Sequence, residues 1–138
     1  MKREVEFRGL GAVDKGWIYG NFIHNSIDAP CIIDIDADQH EVILETVGQF
    51  TGIKSKITKR KPEGDRVFEG DIIKYHKNTG KWLVSLTAEV IFEGGAFYAY
   101  WEREMLGKKE VHKDLLTRYE RKYLSVIGNI YEQGQIYK

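Results

Sequence analysis

The sequence predicts a mainly β protein: a small barrel with added N-terminal strands and one helix near the C-terminus. Three observations carry this reading. Val84, Leu86, Ala88, Val90 and Phe92 alternate with Ser85, Thr87, Glu89 and Glu93, Ile91 being the exception. That is the two-residue period of a half-buried strand. Gly94-Gly95 follows directly, a pair that tolerates the positive φ angles of a tight hairpin turn, and Phe97, Ala99 and Trp101 bring the chain back. Aromatic residues make up 12% of the chain, with eight Tyr and three Trp, and such side chains suit pleated surfaces.

The remaining elements follow in order. Val5 and Phe7 alternate with charged neighbours from Glu4 to Arg8, a first strand. Gly9, Gly11, Asp14 and Gly16 mark a loop, and Trp17 to His24 reads as a second strand. Ile32 to Ile35 and His40 to Leu44 read as two short strands around an acidic turn at Asp36, Ala37 and Asp38. Thr46 to Gly52 is a compact polar and glycine stretch. Lys54, Lys56, Lys59, Arg60 and Lys61 follow with no acid among them, and Pro62, Glu63 and Gly64 end this run, which reads as a mobile connection. From Glu110 to Tyr123, Val111, Leu115, Leu116, Tyr119 and Tyr123 recur at helical spacing, so one helix is expected there despite a weak N-terminal cap. Leu124, Val126 and Ile130 read as a last strand that closes the sheet.

A chain of 138 residues favours a single domain, 1–138, with 1–60 (N-terminal strands and basic loop) and 65–138 (the barrel-like part) as its natural subdivision. The 21 basic and 21 acidic side chains cancel, so no global field draws in nucleic acid or a membrane surface. One cysteine, Cys31, precludes an internal disulfide. With no apolar leader from Met1 to Arg8 either, a reducing cytoplasm is the expected location. No window is apolar for long enough to span a bilayer as a helix.

Few residues are spaced for chemistry. Asp34, Asp36, Asp38 and Glu45 occupy acidic positions of a calcium loop, but Gln39 stands where the sharp turn wants glycine, and the flanks read as strands rather than helices. A hairpin with aspartates on its solvated side is the expectation. Glu69 and Asp71 flank Gly70, and a turn entering a strand accounts for them better than an acid–base pair. His24, His40, His76 and His112 are scattered, with no zinc spacing. No phosphate loop or nucleophile elbow is present, so no catalytic residue, metal ligand or cofactor is assigned. The basic run Lys54, Lys56, Lys59, Arg60 and Lys61 is the candidate nucleic-acid contact, with Tyr98 and Tyr100 available to stack bases.

Five blocks carry a family resemblance: Phe7-Arg8-Gly9, Trp17-Ile18-Tyr19-Gly20, Glu45-Thr46-Val47-Gly48-Gln49-Phe50-Thr51-Gly52, Phe68-Glu69-Gly70-Asp71-Ile72 and Val126-Ile127-Gly128-Asn129-Ile130-Tyr131-Glu132. In this order the chain resembles the YopX family of phage and prophage proteins. It departs from the usual pattern between Thr51 and Phe68, where it carries the basic run. The Glu69-Gly70-Asp71-Ile72 block also looks like the entry to the first strand of SH3-like barrels. The resemblance implies a β-rich protein carried by phages and mobile elements, and it implies no activity.

The expected function is therefore that of a noncatalytic accessory protein that binds a host or phage protein, and a homo-oligomer is expected from open sheet edges. A nucleic-acid-binding module using residues 54–61 is the alternative. A hydrolytic or metal-dependent enzyme is the third reading.

Overall fold

The computed structural model describes residues 5–14, 16–25 and 27–132. Among these residues, eleven strands form two antiparallel sheets. The chain divides into two compact units, 1–52 and 53–138.

In the first unit, β1 (Phe7–Leu10), β2 (Trp17–Ile23), β3 (Cys31–Ile33), β4 (Gln39–Glu41) and β5 (Gly48–Lys54) lie in the order β4-β3-β2-β1-β5. β5 runs on into the second unit. Cys31, Ile32, Val42 and Phe50 are its buried apolar residues. Thr46 is buried with them, donating its hydroxyl to Ile43 C=O (2.7 Å) and accepting the Leu10 N–H (2.9 Å). Thr46 to Gly52, the compact polar and glycine stretch, carries the start of β5. Its alternation is real but short: Gly48 and Phe50 are buried, while Gln49 and Thr51 are half-buried. The predicted strand start at Glu4 lies outside the described residues.

The second unit contains β6 (Arg66–Phe68), β7 (Asp71–Asn78), β8 (Leu83–Glu93), β9 (Ala96–Met105), β10 (Lys108–Leu115) and β11 (Leu124–Asn129). Five of these form a sheet in the order β10-β9-β8-β7-β11, which curls as a half-barrel. Val67, Ile73, Tyr75, Ala88, Val90, Ala99, Leu116 and Leu124 form its core, with Leu86, Trp101 and Val126 packed against it. Side chains of this kind contribute about 1.5–3 kcal/mol each when buried. The β8–β9 hairpin turns at Gly94 (φ 59°) and Gly95 (φ 85°), and Glu93 pairs with Ala96. Two consecutive positive φ angles are the type I′ pattern.

Three expectations change. The helix expected over Glu110 to Tyr123 is absent. Lys108–Leu115 is strand β10, paired with β9 from Met105 to Tyr98, and only short 3-10 turns follow at Leu116–Arg118 and Arg121–Tyr123. Among the described residues no helix exceeds three residues. The physical reason lies in the partners: Glu110 reaches Arg103, His112 stacks on Trp101 and Asp114 meets Tyr119. Strand pairing satisfies these polar groups, while Val111 and Leu115 of the supposed apolar stripe are exposed. Second, Val84 (43%) and Phe92 (47%) are exposed rather than core. Third, β11 stops at Asn129, before Ile130.

Candidate functional site

β8 and β9 pair only from Glu93/Ala96 to Glu89/Tyr100. Beyond Glu89, β8 continues back to Leu83 paired with β7, and beyond Tyr100, β9 continues to Met105 paired with β10. The sheet thus forks into two ribbons. A cavity of about 540 Å³ lies at the apex, lined by Ile72, Thr87, Ala88, Glu89, Tyr100, Trp101, Glu102 and Ile127.

The alternation that was read from sequence sorts this lining. Val90 and Ala88 point to the core, so Glu89 and Thr87 point away from it, and the register partners of Glu89, Tyr100 and Ile72, share that outer face. The Tyr100 hydroxyl donates to Glu102 (2.6 Å), and Lys109 pairs with the other oxygen of Glu102 (3.0 Å). These contacts hold the Glu102 carboxyl below its ordinary range, and the Tyr100 phenol is pushed up by the same bond. Glu89 differs. It is half-buried, and among the described residues its carboxylate has no hydrogen bond and no cation. Burial raises its pKa, and the Glu69 carboxylate raises it further.

Asp71 is buried and accepts the Phe68 N–H at 2.7 Å, so it closes the turn into β7 as the sequence suggested.

The basic run is placed as follows. Lys54 ends β5 and is half-buried, and Lys56, Lys59 and Arg60 are exposed. Lys61 pairs with Asp65 at 2.8 Å. The loop is anchored rather than loose. Ser55 and Asp65 bond across its base, and the Lys56 N–H donates to Leu124 C=O (2.8 Å). Arg121 donates to Ser55 C=O (2.9 Å) and also to Glu63 C=O. Gly64 sits at φ +76°, where a Cβ would lie 2.3 Å from Ser55 O. Lys56, Ile57, Glu120, Arg121 and Lys122 line a shallow hollow of about 600 Å³ beside it. Sequence reasoning missed Arg121 and Lys122 as neighbours because it put them on a helix.

Tyr98 and Tyr100 are engaged within the sheet: Lys113 lies over the Tyr98 ring at 4.8 Å, and Tyr100 is held by Glu102.

In the first unit, Asp34 accepts the N–H groups of Asp36 (2.9 Å) and Asp38 (3.0 Å). Its other oxygen faces His40 Nε2 at 2.8 Å, and these bonds hold its pKa down. Ala37 adopts φ 66° in this turn. The aspartates therefore build the β3–β4 hairpin, and no group of three metal-ligating side chains occurs among the described residues.

No curated protein and no solved structure matches the chain. The family model described as "YopX protein" matches residues 6–136, and the chain therefore belongs to the YopX family.

Proposed function

We propose that this is a noncatalytic accessory protein of phages or prophages that works in the bacterial cytoplasm by binding another protein at the fork in the second unit. The observation that carries this reading is the early end of the β8–β9 ladder at Glu89/Tyr100 while both strands run on. An open cavity with a half-buried carboxylate sits there, as recognition sites commonly do. The strand order β11-β7-β8-β9-β10 further supports an SH3-like reading of this unit: a four-strand meander whose first strand also receives the last, with 3-10 turns before that last strand. The described chain has no helix long and apolar enough to cross a membrane. Exposed Trp82 (75%), Leu83 (63%) and Leu106 (99%) at the ribbon tips favour self-association as a homo-oligomer, to be read as a mass above the monomer by light scattering.

The test is affinity capture from phage-infected host cells with wild-type protein and with a Thr87→Trp variant that fills the cavity. A protein held by the wild type and lost with the variant supports the reading. Equal capture by both moves the site elsewhere.

A second reading is favoured by one observation: Lys122 and Arg121 join Lys56 around one hollow beside the basic loop. Nucleic-acid binding there would fall steeply with salt and vanish when Lys54, Lys56, Lys59, Arg60 and Lys61 become Ser. Filter binding at two salt concentrations decides it. No salt-sensitive binding is the expected result, because Lys61 is already paired with Asp65 and the chain has no net charge.

A further inference from the structure

Resting on the binding reading above, we infer that the fork takes an extended segment of a partner protein, added as a strand along the free edge of β8, with a Lys or Arg side chain set against Glu89. The backbone comes first. In a two-residue hairpin the residues flanking the turn are a hydrogen-bonded pair, and such pairs then alternate along the ladder. Glu93/Ala96 is that flanking pair, so Ile91/Tyr98 and Glu89/Tyr100 are bonded too. Continuing the alternation, Thr87 and Ser85 aim their N–H and C=O groups into the fork, where no described strand pairs with them. A row of such groups is a template for another strand.

The chemistry of this edge is the second observation. Proteins blunt free edges with charges or proline, yet Leu83 to Ala88 carries neither. The opposite wall, β9, is charged there, and its Glu102 and Arg103 are already paired with Lys109 and Glu110. Both walls of the fork leave backbone groups unpaired, and β8 is the uncharged one; it supplies main-chain bonds while alternate side chains read the peptide.

Charge complementarity names the partner. Glu89 and Glu102 both line the cavity, and Glu69 adds its field at Glu89. Among the described residues no cation answers Glu89. A desolvated carboxylate gains most from a charge-assisted bond to an ammonium or guanidinium.

The test is selection of a displayed library of random linear peptides on the full-length protein, followed by affinity measurement on the peptides obtained. Enriched peptides should carry a Lys or Arg among alternating β-branched residues. N-methylation of their backbone at alternate positions should abolish binding. Glu89→Gln should weaken them about tenfold, the size of one charge-assisted bond. Thr87→Pro removes an N–H that faces the fork and not β7, so it should also abolish binding. If Thr87→Pro does not fold, the N-methyl peptides make the same test on wild-type protein. Failure to enrich any peptide overturns the inference, as does binding indifferent to N-methylation and to Glu89→Gln. A concentration-dependent dimer lost with Thr87→Pro also overturns it, because a second copy would then be the occupant. If infected-cell capture still depends on the cavity while no strand peptide binds, the binding reading survives and this inference falls. If both fail, both fall.

Discussion

The two halves of β8 have one sequence pattern and two fates. At the junction Glu89 has strand partners on both sides and the Val90 carbonyl accepts the Gly70 N–H on the side away from β9, and Ala88 and Val90 are buried. From Leu83 to Thr87 it is paired on one side only, and the alternation leads to Val84 at 43% exposure and Leu86 half-buried. Alternation states which side chains share a face. It does not state whether anything covers that face. Coverage needs a second element packed on that face: Ala88 and Val90 have it, while Val84 and Phe92, at the two ends of the same row, do not.

The largest expected effect breaks this comparison most directly. Val90→Asp places an unpaired carboxylate where no water reaches and should cost about 3–5 kcal/mol. Val84→Asp puts the same group on the same face of the same strand and should cost about 1 kcal/mol or less. Chemical denaturation of the two variants measures the difference. Equal losses would mean that the free half of β8 is covered after all.

A smaller effect tests what separates the halves. Gly95 sits at φ 85° with open space around its Cα, so a side chain there meets strain and no clash. Gly95→Val should cost about 1–3 kcal/mol through the backbone alone, whereas Gly95→Asn should cost much less because Asn tolerates this region. An unchanged melting temperature for the valine variant would show that the turn does not set the β8–β9 register.

These elements also show how far the sequence could be read. Gly94-Gly95, the inward row at Ala88 and Val90, and the closing strand from Leu124 were legible because each rests on local pattern. Lys108 to Tyr123 was not, because apolar residues spaced for a helix also fit a strand with two short turns. The choice was made by partners that a hairpin brings opposite and a helix would not, Arg103 for Glu110 and Trp101 for His112, with Asp114 against Tyr119 just beyond. Likewise the basic run was visible, but not its anchoring by Arg121, which lies 66 residues from Ser55. The fork was invisible for the same reason. Its signature is the place where a ladder ends, and no single residue encodes that.

The smallest expected effect belongs to Glu89, at the junction of the two halves. Its folded pKa is raised by burial and by Glu69, so the native protein holds this proton more tightly than the unfolded chain does. The sign follows by linkage. Well below the ordinary value of 4.5, Glu89 is protonated in both states and costs nothing. As pH rises through that value, the unfolded chain ionises first and the native state loses stability, until the pH passes the raised folded pKa. Above it the penalty is constant. Glu89→Gln removes the charge at every pH. It should therefore melt slightly higher than wild type at neutral pH, and the gap should close as the solution is acidified through the carboxylate range. Melting curves of the two proteins across that range check it. A gap that is absent at neutral pH, or that widens on acidification, would mean that Glu89 already has a cationic partner in the free protein, and the fork would then lack the unanswered charge that recommends it as a docking site.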